Sequence, residues 1–153
     1  MGKFAEDPKF SVIIPVYDVP ADTFKRCLMS IADQDYPNLE VVIVANGGDK
    51  AAFEMAEAYA KDRKGWKVLF TEEKGACEAR NRGFKESTGE IVSFTNSDYI
   101  LKTGIVRTWV DALLANPDCG FAYGAYEYAS SNREVYWSKP FSVYELEIDD
   151  YIQ

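Results

Sequence analysis

Short apolar, β-branched runs alternate with amphipathic helical stripes from Phe10 to Ala115. This alternation constrains the fold more than any other feature of the chain. Phe10–Val16 (FSVIIPV) reads as a strand covered on both faces, because no polar residue interrupts its apolar stretch after Ser11. Phe24, Cys27, Leu28 and Ile31 then follow at i, i+3, i+4, i+7, one stripe of a helix. Tyr36-Pro37-Asn38 punctuates that unit, and Leu39–Val44 (LEVVIV) reads as a second buried strand. After the turn Asn46-Gly47-Gly48, Asp49 is placed to cap a helix bearing Ala52, Phe53, Ala56, Tyr59 and Ala60 on one face. Trp66–Thr71 is a third strand. Gly75 opens a helix running to about Ser87, with Gly89 as its expected C-terminal stop. Ile91–Thr95 is a fourth strand, and Val106, Trp109, Val110 and Leu113 form a fourth helical stripe closed near Asn116-Pro117. Phe121–Ala129 and Glu134–Trp137 read as later strands paired across Ser130-Ser131-Asn132.

Strands separated by helices imply βαβ units, so the expected fold class is α/β, with a mostly parallel sheet and helices on both faces. In such sheets ligands occupy the crevice beyond the carboxyl ends of the strands. Those ends carry Pro15-Val16-Tyr17-Asp18 after the first strand, Ala45-Asn46-Gly47-Gly48 after the second and Asn96-Ser97-Asp98 after the fourth. The helix after the third strand carries Ala79-Arg80-Asn81-Arg82-Gly83. Each set alone is a common loop. Their order on one βαβ frame is specific.

The chain has 153 residues, a net charge of −8 and no histidine. A length of this order suits one domain with a real core. The acidic balance argues against nucleic acid as a partner, which needs clustered Lys and Arg. Lack of histidine excludes Ser-His and Cys-His catalysis and His-ligated zinc. No apolar run approaches the ~20 residues that span a bilayer, and Met1–Phe10 does not read as a secretory signal. The expected location is therefore the cytoplasm. Cys27, Cys77 and Cys119 fit neither a disulfide framework nor a CxxC metal site, and are expected as buried thiols.

From Phe10 to about Ile152 the chain resembles the family-2 glycosyltransferases of GT-A (Rossmann-like) fold. The resemblance lies in SVIIPVYD, in CLMSIADQDYPNLEVVIV and in GACEARNRGFKESTGEIVSFTNSD. Typical members read Asp-Asp-Gly-Ser after strand two and Asp-x-Asp after strand four. Here the matching positions are Ala45-Asn46-Gly47-Gly48 and Asn96-Ser97-Asp98. The resemblance implies transfer of a sugar from UDP or a related nucleotide to an acceptor hydroxyl. It also implies a single nucleotide-sugar-binding domain over 1–153 that lacks the acceptor-binding C-terminal half. The acceptor and the catalytic base stay unassigned.

Physical chemistry supplies a role for each residue type. Pro15, Val16 and Tyr17 can wall a flat base, with Asp18 beside them. Asn46 both donates and accepts, which suits an imide edge or a ribose hydroxyl, while Gly47 makes the turn. Arg80 offers a fork of donors to a diphosphate. Asp98, with Asn96 as a neutral oxygen ligand and Ser97 between them, can hold Mn²⁺ or Mg²⁺ against phosphate oxygens. Each has a plainer reading too: a surface carboxylate at Asp98, a turn at Asn96 and at Asn46-Gly47, a half-buried ring at Tyr17. Arg82, two residues from Arg80, cannot share its face and reads as a solvated charge.

Tyr123, Tyr126, Tyr128, Tyr136 and Trp137 suit cross-strand packing better than a sugar platform. Glu145, Glu147, Asp149 and Asp150 read as a solvated run. Two rivals stand beside the transferase. One is a module of the same fold that binds the nucleotide sugar but is catalytically impaired, motivated by Ala45 and Asn96. The other is a dinucleotide-binding domain, disfavoured because no GxGxxG follows the first strand. Apolar surface left where an acceptor half docks implies a homo-oligomer or a further polypeptide segment as partner.

Overall fold

In the computed structural model, which describes residues 7–129 and 135–139, ten elements follow in the order the periodicity implies. They are β1 (Phe10–Val16), α1 (Ala21–Ala32), β2 (Leu39–Ala45), α2 (Lys50–Ala60), β3 (Trp66–Phe70), α3 (Ala76–Glu86), β4 (Ile91–Phe94), α4 (Ile105–Ala115), β5 (Tyr126–Ala129) and β6 (Val135–Lys139). One compact unit ends at Cys119 and a second begins at Gly120.

The first unit is built on a four-stranded sheet in the order β3-β2-β1-β4, parallel throughout. β1 and β2 pair along their whole length, Phe10 with Leu39 through Val16 with Ala45. Residues in register share a face and alternate along each strand. Ile13 and Val42 therefore lie on one side, where Val44 and Ala79 of α3 join them in a buried cluster. Val16, Ala45 and Phe70 lie on the other, where Phe53 of α2 meets Phe70 edge to face at 5.3 Å. Phe10, on that second face, stacks on Trp109 of α4 at 6.2 Å. Helices thus cover both faces, and the central strands are buried at every residue from Phe10 to Val16.

The stripe Phe24, Cys27, Leu28, Ile31 is the buried face of α1. Asp49 caps α2, its Oδ1 accepting from the Ala52 N–H at 3.0 Å. Two details differ from the sequence reading. Ser87, extended, ends α3, and Gly89 is not a helix stop. A Cβ on Gly89 would lie 2.3 Å from Ser11 Oγ, so the position serves close backbone approach to β1. The strand expected over Phe121–Ala129 is confined to Tyr126–Ala129. It pairs antiparallel with β6, with Tyr128 opposite Trp137. The turn expected at Ser130-Ser131-Asn132 and the acidic run from Glu145 to Asp150 lie outside the described residues.

Glu40 is a charged residue in a strand that reads as apolar, and it is 2% exposed. It sits at the edge of the sheet opposite the carboxyl ends, in register with Ser11. Ser11 Oγ donates to Oε2 at 2.6 Å and the Thr88 N–H at 2.7 Å, while Thr88 Oγ1 donates to Oε1 at 3.0 Å. The ammonium of Lys67 lies 3.0 Å away and that of Lys9 3.5 Å. Burial alone pushes this carboxyl upward. The hydrogen bonds from Ser11, Thr88 and Lys67 outweigh it and hold the pKa at about 2. Among the described residues, no helix is long and apolar enough to cross a membrane.

Candidate active site

The loops leaving β1, β2 and β4 and the start of α3 meet in one cleft of about 530 Å³, within the usual range of small-molecule sites. Its floor and rim come from Pro15, Tyr17, Asp18, Val19, Pro20, Asn46, Lys74, Gly75, Ala76, Arg80, Asn96, Ser97 and Asp98. Of the residues singled out in the sequence, only Val16 and Gly47 are not on this surface. Strand alternation turns the Val16 side chain to the opposite face, where it is fully buried, so Pro15 forms the wall. Gly47, at φ +67°, lies under Tyr17: a Cβ there would stand 2.8 Å from the ring.

The loops are tied to one another rather than held singly. The Asp18 N–H donates to Asp49 Oδ2 at 2.9 Å, so the N-cap of α2 also holds the turn after β1. Asp18 itself is at φ +48°, a left-handed conformation uncommon for a non-glycine residue. The Gly47 N–H donates to Glu73 O at 2.8 Å and the Gly48 N–H to Thr71 O at 3.2 Å, joining the loops after β2 and β3. Asn46 is 3% exposed. Oriented by its neighbours, its amide donates to Val16 O at 2.9 Å and accepts from the Gly75 N–H at 3.2 Å. It therefore clamps β1 to the start of α3.

The segment after β4 is braced from α1. Cys27 Sγ lies 3.6 Å from Asn96 O, and the buried thiol is pushed up to about 12 by burial first and by the Asp98 carboxylate second. Ser30 Oγ accepts from the Leu101 N–H at 3.0 Å. Gln34 donates to Lys102 O at 3.0 Å and accepts from the Val106 N–H at 3.3 Å, holding the entry to α4. Contrary to the expectation of three buried thiols, Cys77 and Cys119 are exposed. Cys77 lies on the exposed face of α3 and Cys119 beyond the end of α4.

Charge in the cleft is balanced. Lys74 and Arg80 face Asp18 and Asp98, and none of these four enters an ion pair among the described residues. Arg80 Nη2 donates to Asn96 Oδ1 at 2.8 Å. The Lys74 ammonium lies 5.6 Å from the centre of the Tyr17 ring. Arg82 is exposed and borders a separate recess of about 190 Å³ with Glu73, Glu78 and Lys85, as its two-residue offset from Arg80 requires. Sequence reasoning missed Lys74, Val19, Pro20 and Ala76. Their one signal is position, immediately after a strand end or at a helix start.

No group of three or more His, Cys, Asp or Glu gathers into a metal cluster among the described residues. The oxygen donors of the cleft include the carboxylates of Asp18 and Asp98 and the Asn96 amide oxygen, the last already accepting from Arg80. One carboxylate together with phosphate oxygens of a substrate is a sufficient set for Mg²⁺-like ions, which are commonly held that way.

The sequence model of Glycosyl transferase family 2 matches residues 11–152, almost the whole chain. The chain belongs to this family. Among its relatives, an N-acetylglucosaminyltransferase of Bradyrhizobium elkanii is 31% identical over 133 residues, covering 85% of this chain and 71% of the relative. The uncharacterized glycosyltransferase YibD of Escherichia coli (strain K12) is 37% identical over 90 residues, 59% of this chain and 26% of YibD. Among solved structures, the mannosyltransferase PcManGT from Pyrobaculum calidifontis, in complex with GDP-Man and Mn²⁺, superposes with a TM-score of 0.64. It is 27% identical, over 82% of this chain and 37% of that one. S. aureus TarS 1–349 gives a TM-score of 0.62 at 29% identity, over 70% and 32%. The family-2 fold is thus shared, and the chain spans about a quarter of the length of YibD. The four-stranded parallel sheet with alternating helices is the GT-A architecture that the family resemblance implied.

Proposed function

We propose that the cleft binds a nucleotide-sugar donor, UDP-linked or closely related, for transfer of its sugar to an acceptor hydroxyl. The carrying observation is convergence: Pro15 and Tyr17, Asn46, Arg80, and Asn96-Ser97-Asp98 come from four separate loops or elements and line one cleft. Tyr17, 49% exposed beside Gly47 and Lys74, offers aromatic surface for a base. Arg80 reaches the same space with a guanidinium for the diphosphate, and Asp98 stands at its rim. Asn46, with its amide engaged by Val16 and Gly75, keeps one donor hydrogen for a base edge or ribose.

A divalent cation, Mn²⁺ or Mg²⁺, would sit between Asp98 and the substrate's phosphate oxygens and offset charge on the departing diphosphate. The Mn²⁺ in the PcManGT complex supports that reading. Asn96 holds Arg80, Asp98 supplies the carboxylate, and Pro15 with Tyr17 orients the base. Calorimetry with UDP and GDP in the presence of Mn²⁺ tests the assignment. Binding in the micromolar to millimolar range is expected, and a folded sample that binds neither nucleotide defeats it.

One observation favours a second reading, a donor-binding module with impaired catalysis. Asn96 stands where typical members carry an acid, and its oxygen is committed to Arg80. Release of UDP from a UDP-sugar, abolished by Asp98→Ala, would decide for the enzyme. Exposed Phe84 and Phe94, with ring centres 6.5 Å apart beside β4, support either self-association or cover by further polypeptide. Sedimentation as a monomer at all concentrations removes self-association.

A further inference from the structure

We infer that this cleft holds the nucleotide's diphosphate with protein cations, so that nucleotide binding does not depend on a divalent metal. The inference rests on the donor-binding reading above and concerns how that binding is achieved.

Its basis is the neutral partner of Arg80. Asn96 Oδ1 accepts a single hydrogen bond from Nη2 at 2.8 Å, which fixes the guanidinium at the cleft without cancelling its charge. A guanidinium has five N–H donors, and the others remain for a ligand. A carboxylate at position 96 would do the opposite. It would pair the fork at both oxygens, neutralise it and at the same time invite a metal. The same cleft carries a second cation, Lys74, whose ammonium is poised over the Tyr17 ring and has no carboxylate partner among the described residues.

The backbone adds to this field. α3, eleven residues long, begins at the cleft with Gly75 and Ala76; the Gly75 N–H is taken by the Asn46 amide and Glu78 stands in the first turn, while the N-cap residue, a glycine, has no side chain to cap the other N–H groups. Its free N–H groups and the positive end of its dipole therefore point where Lys74 and Arg80 already gather. Asp18 and Asp98 line the same cleft and balance its formal charge, but neither pairs with Lys74 or Arg80 among the described residues, so both cations stay available to a ligand. Two cations and a helix terminus match the charge of a diphosphate. A metal held by Asp98 alone then contributes to the transfer step more than to binding.

The test is titration of UDP and GDP into the 153-residue chain, once with Mn²⁺ and once with EDTA, with folding checked by circular dichroism. The expected result is an affinity in EDTA within about tenfold of that in Mn²⁺. Arg80→Gln and Lys74→Gln should each lower the EDTA affinity by roughly tenfold, and added salt should weaken it steeply. Asn96→Asp should reverse the preference, with weaker binding in EDTA and a gain on adding Mn²⁺. If the wild-type chain loses more than about tenfold in EDTA, the inference fails and donor binding stands. If no nucleotide binds under either condition, both fail. If Arg80→Gln and Lys74→Gln leave the EDTA affinity unchanged, the cations are not the holders, and the inference fails on that ground alone.

Discussion

Arg80 and Asn96 meet across the cleft through one hydrogen bond of 2.8 Å, a charged donor held by a neutral acceptor. The pairing joins α3 to the segment after β4, and it leaves a positive charge where the family's usual acid would cancel it. Replacing the acceptor with a carboxylate should therefore stabilise the fold slightly. Both side chains are partly exposed, so the new ion pair is worth under about 1 kcal/mol. Asn96→Asp should raise the melting temperature by about 1–3 °C in low salt, a gain that disappears in molar salt. A drop would mean that repulsion from the Asp98 carboxylate in the same cleft outweighs the new ion pair.

Gly47 and Tyr17 are in contact by design of the turn. Alanine at Gly47 must take a φ of +67° and place its Cβ 2.8 Å from the ring and 3.0 Å from Lys74 Cγ. The backbone cost is about 1–2 kcal/mol. Tyr17 is half exposed and can swing away, so the larger effect falls on the ligand. Stacking of a base on an aromatic ring is worth about 1–3 kcal/mol. Gly47→Ala should therefore weaken UDP binding roughly fivefold or more while the protein stays folded. Unchanged affinity would remove Tyr17 from the base site.

Much of this architecture is legible from residue order. Phe10–Val16 is bounded correctly because a run of β-branched residues ends at an exposed Tyr17 and Asp18, and the α1 stripe is buried because its spacing allows one face only. The strand-end rule also leads to Asn96 and Asp98, and the family resemblance to Arg80, all three of which line the cleft. What escapes are interactions between residues far apart in sequence. Glu40 reads as a minor break in an apolar strand, since Ser11, Lys67 and Thr88, which make its burial tolerable, lie in three other segments. Gly89 looks like a helix stop because its real constraint, Ser11, is 78 residues away. Lys74, within Glu72-Glu73-Lys74, looks like any polar loop until Tyr17 appears beneath it.

Gly83 shows the same long-range constraint with a measurable cost. It lies mid-helix in α3, where alanine would normally favour the helix by about 1 kcal/mol. A Cβ there would sit 2.5 Å from Ile13 Cγ2 and 3.3 Å from Val44 Cγ2, both fixed in the buried core. Overpacking of a tight core costs about 1–3 kcal/mol. Gly83→Ala should thus lower stability on balance, seen as a lower midpoint in urea with unchanged slope. It should also shift Arg80, carried on the same helix, and weaken nucleotide binding. A stabilised variant would show that α3 can lift from the sheet without penalty.

Glu40 makes acid the condition that should loosen the sheet. Its pKa is held at about 2 in the fold against an ordinary value of 4.5, so the folded state favours the charged form. A depressed carboxyl contributes its full stability above the unfolded value, and that contribution is lost as pH falls from about 4.5 toward 2. Protonation would turn an acceptor of three hydrogen bonds into a group that must donate, and would leave Lys67 and Lys9 facing a neutral acid. Glu40→Gln keeps the shape but removes the charge and one acceptor atom. It should destabilise the protein by about 2–3 kcal/mol at pH 7, because the charge-assisted hydrogen bonds of the buried carboxylate are lost, while the partly exposed Lys9 and Lys67 can turn to solvent. The difference from wild type should shrink steadily between pH 4.5 and pH 2. Urea midpoints for both proteins across that range provide the measurement. A constant gap would show that the carboxylate is not the group through which acid acts.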